Sequence, residues 1–177
     1  MKALQARRVV QATITFAVIG AVLSSPASAQ ERQGPVAELA AGALSFADDG
    51  IVTEGLVGAA ARFYILPRVS LGPEIAYIRG ENHSHLMLTG NVTFDLVRPI
   101  NGEARPVTPF AVVGGGLFQT REPFPNTQVF TSTEGAFTAG GGVRVLVGKH
   151  YILGAEARIG WELHTRLNGM VGVRLGG

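Results

Sequence analysis

Hydrophobic and polar positions alternate with period two along much of this chain, most clearly between residues 136 and 177. In 151–163, Tyr151, Leu153, Ala155, Ala157, Ile159, Trp161 and Leu163 alternate with Ile152, Gly154, Glu156, Arg158, Gly160 and Glu162. Successive side chains of a strand point to opposite faces, so this spacing gives one greasy face and one charged, glycine-bearing face. Residues 136–147 repeat it, with Phe137, Val143 and Val145 opposite Thr138, Gly140 and Arg144, and residues 167–175 set Leu167, Val171 and Val173 against Asn168, Met170 and Arg174. The connections at 148–150 and 164–166 are short enough for hairpins, so the segment reads as a β-meander. Five earlier strands are predicted at 36–44, 51–65, 69–78, 85–97 and 107–118. In the last of these, Gly114-Gly115-Gly116 blurs the alternation and leaves the facing open. Eight strands in up-and-down order predict the smallest closed membrane barrel, antiparallel throughout.

Alternation alone does not say which face is inside. A soluble barrel buries its apolar face, whereas a membrane barrel turns that face to lipid and fills its lumen with polar groups. Charge chemistry favours the second. Beyond residue 29 there is one lysine, Lys149, and it sits in a turn, while aqueous surfaces are rich in both lysine and glutamate. The cations on the predicted strands are arginines near glutamates, as suits paired ions in a confined interior. The parity puts Glu38, Glu54, Arg62, Glu74, Asp95, Arg144, Glu156, Arg158, Glu162 and Arg174 inside, with Arg166 at the rim. Glu74, Arg144, Glu156, Arg158, Glu162 and Arg174 are the expected centre of an interior charge network. An eight-stranded barrel is just wide enough to be filled by side chains, so the network is expected to plug the lumen rather than conduct.

Residues 1–29 read as a leader. Lys2, Arg7 and Arg8 precede an apolar stretch, and Ala27-Ser28-Ala29 forms a small-x-small cleavage site. The apolar stretch is shorter than the ~20 residues of a spanning helix. The leader holds three cations and no acid, so its removal takes the formal net charge from +2 to −1. No basic patch is left to suggest nucleic acid. There is no cysteine, which excludes disulfides and thiolate metal sites. Residues 30–177 amount to one domain. Charged residues are 16% of the chain against about 25% in an average globular protein, which suits a lipid-facing barrel.

The chain resembles the small outer-membrane β-barrel proteins of the OmpA/OmpX-like type. Val69-Ser70-Leu71-Gly72-Pro73-Glu74-Ile75 is similar to the third strand of such barrels, and Pro109-Phe110-Ala111-Val112-Val113-Gly114-Gly115-Gly116 to the fifth. Ala139-Gly140-Gly141-Gly142-Val143-Arg144 and Gly154-Ala155-Glu156-Ala157-Arg158 are similar to the sixth and seventh. These motifs speak for architecture, not activity. One departure is the end, Val173-Arg174-Leu175-Gly176-Gly177, where family members commonly carry an aromatic residue. The resemblance implies an eight-stranded antiparallel up-and-down transmembrane β-barrel behind a cleaved signal peptide. Its setting would be the outer membrane of a Gram-negative-type bacterium, among lipid and lipopolysaccharide and inserted by the outer-membrane assembly machinery.

Some small barrels of this size modify lipid A, and Glu81, His83, Ser84 and His85 invite a hydrolase reading. Nucleophile and base must be held within hydrogen-bond reach, and no neighbouring strand offers an evident orienting carboxylate. An exposed histidine pair is ordinarily only solvated, so His83 and His85 are assigned no metal. The expectation is a monomeric, non-enzymatic protein without cofactor or nucleic acid. Any extracellular ligand would meet loops 80–84 (Gly80 to Ser84) and 121–133 (Arg121 to Thr133). The rival, a soluble exported barrel binding an apolar ligand, requires the opposite burial, with Glu156 and Arg158 in water.

Overall fold

Strand pairing carries the alternation around a full circle. The computed structural model describes residues 33–47, 51–97, 106–123, 129–161 and 164–175. The predicted leader, most of the connection 99–106 and Glu162 lie outside the described residues. Eight strands follow one another: β1 (Val36–Ala47), β2 (Ile51–Leu66), β3 (Val69–Arg79), β4 (Ser84–Asp95), β5 (Val107–Pro123), β6 (Val129–Val147), β7 (Tyr151–Gly160) and β8 (His164–Arg174). Each pairs antiparallel with the next, and β1 closes on β8 through Leu39 opposite Val171. The described residues contain no helix long and apolar enough to cross a membrane. The shortest strand has 10 residues, which matches the ~9–11 that a tilted transmembrane strand needs.

Every strand contributes to an exposed apolar belt: Leu39, Val57, Ile75, Leu88, Val113, Val143, Leu153 and Val171. Aromatic rings stand near both edges of it. Phe63, Phe94 and Tyr151 lie toward the end that carries the tight turns Pro67–Arg68 and 148–150, and Tyr77, Phe137 and Trp161 toward the opposite, loop end. Trp161 is 65% exposed, while Glu156 and Arg158 are 4% and 7% exposed. This burial is the reverse of what a soluble apolar-ligand barrel requires, so that rival reading falls. The facing of β5, which the triple glycine hid, is also settled. Phe110 and Val112 point inward, and Val113 and Leu117 outward.

Inward glycines make room for the large side chains of the lumen. A Cβ on Gly140 would lie 2.9 Å from the Arg158 side chain, and one on Gly142 would lie 2.9 Å from the Phe110 ring. At Gly72 the backbones themselves approach, since a Cβ there would sit 1.6 Å from the carbonyl oxygen of Ala61. Gly148, at φ 66°, supplies the left-handed residue of the β6–β7 turn.

Three boundaries differ from the sequence expectation. His164, Thr165 and Arg166 are not a turn but the first residues of β8, and β7 ends at Gly160 instead of 163. Inward-facing carboxylates draw Arg166 into the wall. The expected loop 121–133 is mostly ladder, because β5 and β6 stay paired from Val107–Val145 out to Pro123–Val129. Among the described residues β7 joins β6 only from Thr138, while β4 joins β5 as far as Arg121, so the β5–β6 ribbon has a free β6 edge over residues 129–137 and runs past β4 only at Glu122 and Pro123. Its alternation was illegible because Gln119, Arg121, Thr131 and Thr133 leave it polar where an apolar stripe would mark a strand. Ser84, expected in a loop, begins β4.

If the belt sits in hydrocarbon, charge should be tolerated by depth. Leu88→Arg, at mid-belt, is expected to cost about 2–4 kcal/mol, and Val107→Arg, at the edge, about 0–1 kcal/mol. Shifts in the urea unfolding midpoint in lipid vesicles would read both, and equal small costs would show that the belt is not in lipid.

Candidate functional site

The inward face builds the lumen in layers, each set by alternate residues of several strands. At the turn end, the Arg62 guanidinium of β2 donates to both carboxylate oxygens of Glu38 on β1, at 2.7 and 2.6 Å. Arg144 of β6 donates to Asp95 of β4 at 3.2 Å and lies 3.6 Å from Glu38. Tyr64 links the two pairs by accepting from Arg62 at 3.3 Å and donating to Asp95 at 2.9 Å. The Arg144 guanidinium also rests over the Phe110 ring, 3.5 Å from its centroid. Planar guanidinium suits both tasks, bidentate pairing and stacking, which a lysine would not perform.

In the middle of the barrel, Glu74 of β3 and Glu156 of β7 face Arg158 of β7 and Arg166 of β8. Arg158 reaches Glu74 at 3.0 Å and Glu156 at 2.7 Å, and Arg166 reaches Glu156 at 2.9 Å and also pairs with Glu74. Asn91 of β4 closes the group, donating to Glu74 at 2.8 Å and accepting from Arg158 at 3.0 Å. Two carboxylates therefore meet two guanidiniums in this layer, as in the one below it. Isolated ions in this setting would cost several kcal/mol each, so the balance is what makes the burial tolerable.

Of the residues expected at the centre of the network, Glu74, Arg144, Glu156 and Arg158 are buried and in contact as described. Arg174 is half-buried near the turn end and donates to Gln33 at 3.2 Å. Glu162 lies outside the described residues. Arg166, placed at the rim from sequence, is instead 1% exposed and joins the middle layer. Its position was hidden because the reading put a turn there.

Toward the loop end the filling becomes apolar. Leu44, Leu56, Ala76, Ile78 and Met87 form a buried cluster. Along β3, Ala76 and Ile78 come after Glu74; along β4, Met87 comes between His85 and Asn91. Phe46 and Phe118 pack against this septum. A second apolar group, Phe110, Val112 and Met170, lies deeper. The cavities beside the two charged layers, of about 20 and 30 Å³, have room for a few waters and no larger solute.

Above the septum stands a third polar group: Glu54 of β2, His83 of the β3–β4 connection and His85 of β4. His83 Nε2 contacts Glu54 Oε1, and His85 Nε2 lies 3.5 Å from Glu54 Oε2. His85 Nδ1 is 3.0 Å from the hydroxyl of Thr120, directly opposite on β5, and its ring stacks on Phe118. The pair expected to be an exposed loop feature is thus partly interior, and the missing carboxylate is Glu54. Parity placed Glu54 inward in the sequence, but His85, which shares the parity of Met87, was assigned to the loop pair instead. The relation between strands that brings them together has no trace in local spacing. Ser84 shares the outward parity of Leu86, so it does not face His85.

No protein-family model and no curated protein matches the sequence. Solved structures do. The chain is similar to Neisserial surface protein A at 13% identity and a TM-score of 0.69, covering 80% of this chain and 97% of that one. It is similar to the N-terminal β-barrel domain of Pseudomonas aeruginosa OprF at 13% identity and TM-score 0.61, covering 81% and 99%. A third is Ail, the attachment invasion locus protein of Yersinia pestis, solved with the heparin analogue sucrose octasulfate, at 12% identity and TM-score 0.56, covering 80% and 97%. The fold is that of the small outer-membrane barrels. At these identities the likeness concerns architecture, and no lumen or loop residue is carried over by it.

Truncating one member of the middle layer should strand its partners. Glu74→Ala is expected to destabilise the folded barrel by about 3–5 kcal/mol, because Arg158 and Arg166 lose a counter-ion in a buried site. Glu134→Ala, on the exposed ribbon, should stay within about 0.5 kcal/mol. Urea unfolding of both variants in the same vesicles gives the comparison.

Proposed function

We propose that this chain is a monomeric integral outer-membrane protein of a diderm bacterium, exported behind a cleaved leader, that acts by surface contact and performs neither catalysis nor transport. The observation that carries the reading is the inversion of burial. A continuous apolar belt faces out while balanced ion pairs and an apolar septum fill the lumen. The belt provides the surface for lipid and lipopolysaccharide, and the ion-pair layers and apolar septum among the described residues support a closed lumen. What remains for function is the loop end, where the β5–β6 ribbon projects and carries exposed Phe130, Thr131 and Glu134 beside the 80–83 connection. Ail, an attachment invasion locus protein with the same fold, supports a contact role for such an end.

Envelope fractionation with unheated and boiled gel samples tests the placement. The expected result is recovery with the outer membrane and a mobility that changes on boiling. A freely soluble periplasmic protein with no shift would overturn it. Planar-bilayer recording tests the closed lumen, with no unitary conductance expected, and stable single-channel steps from the purified barrel would replace the plug by a pore.

A further inference from the structure

We infer that Glu54, His83 and His85 form a binding site for a borderline divalent metal ion, of the Zn²⁺ class, at the loop end of the barrel. One ligand atom from each residue lies within 4.8 Å of the others. A tetrahedral ion with bonds of about 2.0–2.1 Å holds its ligand atoms about 3.3 Å apart. The separation of His85 Nε2 from Glu54 Oε2, 3.5 Å, already matches that edge. His83, the most exposed of the three, sits on the connection with its Nε2 against Glu54 Oε1 and completes the set.

Three further observations point to a cation. First, His85 Nε2 and Glu54 Oε2 are buried, face each other and have no hydrogen-bond partner. Thr120 engages Nδ1 at 3.0 Å, which leaves Nε2 as the ring nitrogen that faces the carboxylate. Second, the deeper carboxylates each meet guanidiniums, whereas among the described residues the ion-pair partners of Glu54 are the two imidazoles alone. Glu54 thus has no permanently cationic partner among the described residues, and a divalent ion would supply one. Third, the β3–β4 connection is shaped to the site. Gly80 donates from its backbone to His83 O at 3.1 Å, and a Cβ at Gly80 would lie 2.5 Å from Glu54 Oε1 and 2.7 Å from His83 Nε2. Glycine there lets the imidazole close over the carboxylate.

The ligand set selects the metal class. Two imidazoles with one carboxylate suit zinc and its neighbours, whereas magnesium and calcium prefer an all-oxygen shell. Thr120 orients His85 from behind, as the outer partners of metal-bound histidines do. Three protein ligands leave one tetrahedral position for water or a donor group from outside, on the side opened by His83. The septum of Leu44, Leu56, Ile78 and Met87 closes the site from below.

The test is calorimetric titration of ZnSO₄ into the purified, folded protein in detergent micelles, with any polyhistidine tag removed. The expected result is one ion per chain. His83→Ala and Glu54→Gln should each weaken binding by at least about tenfold, and Thr120→Val by about tenfold or more. His150→Ala, in the turn at the opposite end, should leave it unchanged. The boiling-dependent gel shift verifies that each variant is folded, and His83→Ala, altering a connection residue, keeps the test decisive if Glu54→Gln fails to fold. Absence of stoichiometric Zn²⁺ binding, or affinity unchanged in folded His83→Ala, would overturn the assignment.

Discussion

Closure of β1 on β8 is the constraint on which the rest depends. In hydrocarbon an unpaired backbone N–H or C=O has no water to turn to, so a sheet that spans a membrane can have no free edge. The ladder from Val36–Arg174 to Phe46–His164 removes the two edges that eight strands would otherwise present. Once the circle is shut, each strand has one face to lipid and one to a narrow interior, and period two becomes obligatory. A slip of one residue anywhere would carry a guanidinium into lipid and a leucine into the charged layers. The closed ladder and the side-chain parity therefore enforce one another.

The lumen shows how that enforcement is made specific. A buried ion pair adds little net stability over a well-packed apolar pair, yet breaking one is costly. Balanced layers of two arginines and two carboxylates thus act less as glue than as registration marks drawn from different strands. Arg62 and Glu38 align β1 with β2, Arg166 and Glu156 align β7 with β8, and Arg158 and Arg166 both reach Glu74 on β3. Arginine is suited to this because one planar group can meet two carboxylates at once.

Much of this was legible from the sequence, because the barrel wall is written in local alternation. The eight strands, their facing in seven cases and the inward placement of Glu38, Glu54, Arg62, Glu74, Asp95, Arg144, Glu156 and Arg158 follow from period two. What was hidden depends on contacts between strands or on stretches without an apolar stripe. Arg166 was missed because its short connection was centred a few residues too late. The β5–β6 ribbon was missed because, outside lipid, nothing requires an apolar face. Glu54, His83 and His85 come from β2, β4 and the connection before it, and only the folded wall puts them side by side.

The septum below the mouth divides the molecule into two cups set back to back. Leu44, Leu56, Ile78 and Met87 separate the histidines from the arginine layers, so polar changes in one cup are not felt through water or mobile ions in the other. Distant sites without shared partners are energetically additive to a good approximation. The lower cup, which fixes strand order, can thus stay constant while the upper cup and its ribbon vary. Such a scaffold lets the side chains at the loop-end rim change without renegotiating the fold beneath them.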